Sequence, residues 1–295
     1  MTIFKTKTEQ KTDEATVSQK EPQYFRSATN IPTLNYRVYY MSKNEIIFYS
    51  ILAFVAGAFV GYLFYGGLGK DEFGNATLTT YILNALVMIL AGAVAVKLFL
   101  PMRTEQLRDK RKSQLRNQFR DMLEALSTSL NAGKNVTDSF ISVLEDMRVQ
   151  YSQDAYIVQE LEVINSGLLN NMNIEEILAD FGARSGVEDI SSFARVFEVC
   201  YRKGGNIKQV IRNTYDILSD KMAINEDIET VVTGSKNEQY LMLVMPIMMI
   251  AMIKSISADF AANFATATGL VSTTIGLVLF VAAYFVGRKV LDIKL

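Results

Sequence analysis

The sequence predicts an all-α membrane protein with four transmembrane helices plus a cytoplasmic bundle of about six helices. Three observations predict it. Four long, nearly uncharged apolar runs occur along 295 residues that are 49% hydrophobic. Between the second and third runs, apolar residues recur at helical rather than alternating spacing. The basic residues gather at flanks that all fall on one side of the runs.

The first run, Ile46 to Tyr65, sits in a stretch with no charge between Glu45 and Lys70. About 20 residues rising 1.5 Å each cross a hydrocarbon core of roughly 30 Å. The second, Tyr81 to Leu100, is followed by Pro101, which is expected to stop the helix. The third, Tyr240 to Ser257, contains Pro246 and Lys254, and the fourth, Gly269 to Gly287, has no charge. A buried core helix accounts for one such run; four in one short chain are read as spans. Lys97 is expected to snorkel to the cytoplasmic surface and Lys254 to reach the external interface. Gly57, Gly61, Ala91, Gly92 and Ala95 suit close helix packing.

Orientation follows from the flanks. The first 45 residues hold Lys5, Lys7, Lys11, Lys20, Arg26, Arg37 and Lys43. After the second span come Arg103, Arg108, Lys110, Arg111, Lys112, Arg116 and Arg120, and the chain ends with Arg288, Lys289 and Lys294. The loop between spans 1 and 2 sets Lys70 against Asp71 and Glu72, and the loop between spans 3 and 4 has no positive charge. The positive-inside rule puts both termini and the central domain in the cytoplasm. The expected domains are a disordered cytoplasmic tail over 1–45, spans 1 and 2 over 46–100, a cytoplasmic helical bundle over 101–238, and spans 3 and 4 with a short tail over 239–295. The leader is rich in Lys, Glu, Gln and Thr, so it reads as a tethered tail or a partner-binding segment. Tyr36, Tyr39 and Tyr40 read as an interfacial belt. No cleavable signal segment is expected, since the first apolar run starts only at Ile46.

Composition excludes several function classes. There is no His and one Cys, so a His-based triad, an intrachain disulfide and a Cys-rich zinc site cannot be built. The net charge of -1 offers no basic field for nucleic acid. No catalytic residue, cofactor or metal site is expected, and Cys200 reads as a buried small hydrophobe.

Residues 102–238 contain 17 Lys+Arg against 22 Asp+Glu and no Pro, which makes the bundle acidic. Six apolar stripes run through it: Leu115, Phe119, Met122, Leu126 and Leu130; Val136, Phe140, Val143 and Met147; Ile157, Leu161, Ile164 and Leu168; Ile174, Ile177, Leu178 and Phe181; Ile190, Phe193, Phe197 and Cys200; and Ile207 onward toward the third span. No sheet is expected. Two turns repeat one design. Gly133 and Asn135 in LNAGKNVTDSF correspond to Gly204 and Asn206 in YRKGGNIKQVI, where Gly205 takes the place of Lys134. Gly closes one helix in the left-handed conformation and Asn caps the next. NNMNIEEIL over 170–178 reads as a third variant with Asn173 as cap. Glu175, Glu176, Asp180, Glu188 and Asp189 read as a solvated face with helix-start charges.

At LRNQFRDMLEALSTSLNAGKNVTDSFISVLEDM (115–147) and FARVFEVCYRKGGNIKQVIRNTYDILSDKM (193–222) the sequence resembles the type II secretion system F family of inner-membrane platform proteins. The order of two spans, one cytoplasmic helical domain and two spans agrees with that likeness. General secretion and type IV pilus members have a duplicated cytoplasmic domain. This chain has one, and so is more similar to the tight-adherence (Tad) branch. The resemblance implies a non-enzymatic platform that couples a cytoplasmic secretion ATPase to extraction and polymerisation of pilin or pseudopilin subunits, with self-association or a paralogous platform subunit. Arg108, Lys110, Arg111, Lys112 and Arg116 then read as a contact for anionic membrane lipids or for the ATPase. Pro101, Gly234 and Pro246 are hinge candidates. A small transporter or channel subunit is the alternative, and it needs polar residues converging at mid-membrane.

Overall fold

The computed structural model describes residues 21–68 and 76–291. The expected leader 1–20, together with Lys70, Asp71, Glu72 and Lys294, lies outside the described residues. Among the described residues the chain forms β1 (Tyr24–Arg26), β2 (Pro32–Leu34), α1 (Lys43–Tyr65), α2 (Leu78–Asn131), α3 (Val136–Gln150), α4 (Tyr156–Leu169), α5 (Ile174–Ser185), α6 (Glu188–Arg202), α7 (Ile207–Ile256), α8 (Ala258–Phe264) and α9 (Ala267–Leu291). It divides into two units, Met1–Tyr40 with Arg108–Thr214 and Met41–Leu107 with Tyr215–Leu295.

The first unit is the helical bundle, and the first five stripes with Ile211 of the sixth become its core, while Ile217, Ile224 and Val231 farther along the sixth are exposed. Leu115, Phe119, Met122 and Leu126 on α2 are fully buried, as are Phe140 and Val143 on α3, Ile157 and Leu161 on α4, and Phe197 on α6. Phe119 lies 5.4 Å from Phe193 and 6.2 Å from Phe181, ring centre to ring centre, so one aromatic ring ties α2 to α5 and α6. The stripes weaken at their ends. Val136, Leu168 and Cys200 are only half-buried.

The disorder expected over 1–45 does not extend across 21–45, where a two-stranded hairpin precedes the first helix. Strands β1 and β2 pair antiparallel with Tyr24 opposite Leu34, and Asn30 turns the hairpin at a φ of 60°. Strands of three residues are too short to display an alternating pattern. The polar leader also masks the aromatic content of the segment that follows it. Tyr36 is fully buried in the bundle instead of lying in an interfacial belt. Its hydroxyl donates to Glu160 Oε1 at 3.0 Å, and its backbone N–H donates to the Arg184 carbonyl at 3.1 Å. Arg184 holds Glu160 in a two-pronged ion pair, with Nη1 and Nη2 each 2.8 Å from a separate carboxylate oxygen, and its Nε donates to Asp180 at 2.7 Å. Burial, followed by the Glu160 charge, raises the Tyr36 phenol well above its ordinary value.

The second unit holds the apolar helices. α1, the first part of α2, the last part of α7, and α9 as far as Gly287 are each long and apolar enough to cross a membrane. Helices α1 and α2 approach through their small residues. A Cβ added to Gly57 would stand 2.5 Å from Ala95 Cβ and 2.9 Å from the Ala91 carbonyl oxygen, so only hydrogen fits there. Pro101 does not stop the helix as expected. It lies inside α2, as Pro246 lies inside α7. A proline removes one N–H, and hydroxyls of nearby Ser and Thr can occupy carbonyls around it. Here Thr104 Oγ1 donates to the Leu100 carbonyl at 2.9 Å. One turn on, Arg103 Nη2 donates to the Tyr49 hydroxyl at 3.2 Å and links α2 to α1.

The buried pair yields a stability test. Arg184→Met leaves Glu160 charged and unpaired in the core, with an expected loss of about 3–5 kcal/mol. Adding Glu160→Met removes the stranded charge and should recover most of that loss in a chemical denaturation series on the purified chain.

Candidate functional site

The two repeated turns have the same backbone geometry. At the end of α2, the Gly133 N–H donates to the Leu130 carbonyl and the Lys134 N–H to that of Ser129. At the end of α6, the Gly204 N–H donates to Tyr201 and the Gly205 N–H to Cys200. Both are three-back, five-back locks around a left-handed residue, with φ of 91° at Gly133 and 68° at Gly204. Asn135 Oδ1 then accepts the Asp138 N–H at 2.8 Å, and Asn206 Oδ1 accepts the Gln209 N–H at 3.2 Å. The turns lie side by side around a cleft of about 520 Å³, with Lys134 and Asn135 on one wall and Gly205, Asn206 and Lys208 on the other.

The third variant keeps the lock and changes the cap. The Asn171 N–H donates to Leu168 and the Met172 N–H to Gly167, with Asn171 itself left-handed at a φ of 56°. Asn173, expected as the cap, makes no side-chain cap bond. Its Nδ2 donates instead to Glu176 Oε1 at 2.9 Å.

The basic run is divided between inside and outside. Lys110 is exposed, and Arg108 pairs with its neighbour Asp109 at 2.9 Å. The Arg111 guanidinium lies 4.4 Å above the Tyr39 ring centre. Lys112 is half-buried, and burial, followed by the Arg108 charge, lowers its ammonium below the ordinary lysine range. Arg116 reaches Asp189 at 3.4 Å. Three of the five expected contact residues therefore pack within the first unit. The acidic set is divided in the same way. Glu176 and Glu188 are exposed. Glu175 faces Arg202, Asp180 faces Arg184 and Asp189 faces Arg116, so these three are not a solvated face. Helical spacing could show only the Asp180–Arg184 pair, four residues apart on α5; the partners of Glu175 and Asp189 come from other helices.

A further contact lies between α2 and α3, where the Tyr151 hydroxyl donates to Asp121 Oδ2, whose other oxygen accepts from Arg120 at 2.7 Å. Burial first, then this bond to the carboxylate, pushes the Tyr151 phenol up to about 12.

In the second unit the candidate hinges Pro101, Gly234 and Pro246 all sit inside unbroken helices. A Cβ on Gly234 would meet nothing within 4 Å. Lys254 lies at the last turn of α7. Its Nζ donates to the Leu63 carbonyl at 2.6 Å and lies 4.3 Å above the Phe264 ring, which places a cation at the C-terminus of α1. Helices α1, α2 and α9 enclose an apolar groove of about 970 Å³ lined by Leu52, Val60, Val94, Leu98, Val281 and Phe285, among others.

Two outcomes follow. Gly204→Val places a β-branched residue at positive φ with open space around it, so its cost is backbone strain of roughly 1–2 kcal/mol. Gly204→Asn should cost much less, because Asn171 already fills the equivalent place; thermal melts of the two variants check the ranking. The Tyr151 phenol titrates higher in the folded chain than in the unfolded one. Its contribution is therefore complete below about pH 10 and lost as pH rises toward 12. Tyr151→Phe should flatten that alkaline limb of the stability profile.

No curated protein and no solved structure matches this chain. Residues 122–253 match the family model of the type II secretion system (T2SS), protein F. The matched stretch takes in both Gly-Asn turns, the buried Arg184–Glu160 pair and the α7 segment that enters the third apolar run. Over that stretch the chain is similar to the type II secretion system protein F family, and among the described residues four helices are long and apolar enough to cross a membrane.

Proposed function

We propose that this chain is the inner-membrane assembly platform of a Tad-like pilus or related secretion machine, coupling a cytoplasmic secretion ATPase to pilin or pseudopilin extraction and polymerisation. The observation that carries the reading is the extent of the F-family match. It begins in the bundle part of α2 and ends within the apolar part of α7. Bundle and span thus belong to one family unit. Four apolar helices arranged as two before and two after the bundle fit the single-domain branch. The basic flanks support a cytoplasmic bundle over 101–238 and cytoplasmic termini.

In this reading the chain does no bond-making chemistry, and the energy comes from the partner ATPase. The outward members of the basic run, Arg108 and Lys110, are the candidate contacts for lipid headgroups or for that ATPase. The groove of α1, α2 and α9 suits an apolar pilin helix, since its lining is nearly all aliphatic or aromatic. Pro101, Gly234 and Pro246 are the places where α2 and α7 can bend when the bundle moves. Self-association or a paralogous platform subunit completes the assembly.

The test is crosslinking followed by purification in mild detergent, with filament or secretion output measured in a deletion strain. The reading expects recovery of a secretion-type ATPase and a second platform subunit, and loss of output on deletion. Intact output in the deletion strain would sink it.

A further inference from the structure

Helix α7 is continuous over Ile207–Ile256, and from Tyr215 on it belongs to the second unit. Before it enters the third apolar run, that part of the helix has two unlike faces. Leu218 and Met222 are buried, whereas Ile217, Ile224 and Val231 are 57%, 55% and 78% exposed. The three lie seven residues apart, so each is displaced by only about 20° around the helix from the one before. They form a ridge roughly 21 Å long, and Ile228 widens it between the last two. Single surface aliphatics are ordinary, but a continuous ridge of them is a surface that another element covers.

The surroundings narrow what covers it. Asp216, Asp220, Glu226, Asp227 and Glu229 lie in the same turns, so the ridge does not sink into hydrocarbon, and anionic headgroups repel it. A heptad frame with Ile217, Ile224 and Val231 at d places Lys221 and Ile228 at a, and Asp220 and Asp227 at g. The acids therefore follow one flank of the ridge, and Lys221 stands on the other. When two such helices lie parallel, the acid flank of each meets the lysine flank of the other, with Asp220 level with Lys221. The three N–H groups of Lys221 let it take that carboxylate beside its contact within the chain. Copies of one membrane protein insert in the same direction, and α7 continues into an apolar run, so two α7 helices meet in parallel. A single Lys at an a position also fixes the register of such a pair. We infer that this ridge is where two copies of the chain pair, as a parallel coiled coil of α7 over 217–231. The segment is already helical, so pairing costs no helix nucleation. The inference rests on the self-association in the platform reading and gives it a surface.

The test is oxidative crosslinking of full-length single-cysteine chains in phospholipid vesicles, on a Cys200→Ser background. Ile217→Cys and Val231→Cys should each give a disulfide-linked dimer, because d positions of a parallel pair face their own copies within disulfide reach. Glu226→Cys, exposed on another face of the same turns, should stay monomeric. All three substitutions are at exposed positions, so the fold is retained. Asp220→Lys added to Ile217→Cys sets lysines against each other and should lower the dimer yield several-fold. Lys221→Asp added to that chain exchanges the two charges and should restore the yield. A monomer at Ile217→Cys or Val231→Cys, equal dimer at Glu226→Cys, or a link formed only between the two variants when mixed, as an antiparallel pair requires, would overturn the inference. So would a yield indifferent to Asp220→Lys. No ATPase or filament is present in the vesicles, so the pairing can fail while filament output still depends on the chain, and the platform reading can fail while the crosslinks form.

Discussion

The first unit closes around the guanidinium of Arg184. Taking an arginine and a glutamate out of water is costly, and the pair is tolerated only where its geometry is complete. Here it is complete: both carboxylate oxygens of Glu160 are occupied, Asp180 takes the third nitrogen, and the Leu34 carbonyl accepts from Nη1 at 3.3 Å. Glu160 comes from α4 and Leu34 from the strand β2, while Asp180 lies one turn back on α5 itself, so one side chain ties its own helix to two other segments. Tyr36 then covers the pair and adds its hydroxyl to Glu160. The N-terminal segment is ordered because the bundle contains a charge that needs that cover.

The helix ends are set by a second constraint. A bundle of short helices exposes many carbonyl and N–H groups at its turns, and each turn must satisfy them in very few residues. This chain uses the three-back, five-back lock at the ends of α2, α4 and α6. The left-handed residue is Gly133, Asn171 and Gly204 in turn. Asparagine can stand where glycine does because its side chain tolerates that backbone region. The cap two residues later is more variable, as Asn173 shows by bonding Glu176 instead of a backbone N–H. The repeat thus lies mainly in how helices end and less in how they begin.

What was legible in the sequence divides along the same lines. Signals local in sequence could be read. The four apolar runs, the six helical stripes and the Gly-Asn turns each declare themselves within a window of about twenty residues or fewer. Signals that depend on a distant partner could not. The inward pairing of Arg116 with Asp189 and of Glu175 with Arg202 joins residues far apart in sequence, and nothing in the spacing of either charge marks it as taken. The N-terminal hairpin was hidden for a related reason, since its order comes from the Arg184–Glu160 pair more than 100 residues away. Pro101 misled because a proline stops an isolated helix, while a span flanked by Thr104 and anchored by Arg103 to Tyr49 retains its course.

Charge accounting then sharpens where this protein can meet others. The near-zero net charge of the chain conceals a bundle in which several cations and anions have already found each other. Arg116, Arg184 and Arg202 are engaged with carboxylates of α4, α5 and α6, and Arg111 is held against tyrosine rings. Within the basic run and the acidic set, what remains outward for a charge-recognising partner is Lys110, Glu176 and Glu188, together with the partly exposed Arg108. Those groups lie in water, where each contact is worth little alone and weakens with salt. The apolar groove of α1, α2 and α9 differs in kind, since its lining is nearly all aliphatic or aromatic and a contact there gains from burial of apolar surface instead of from charge.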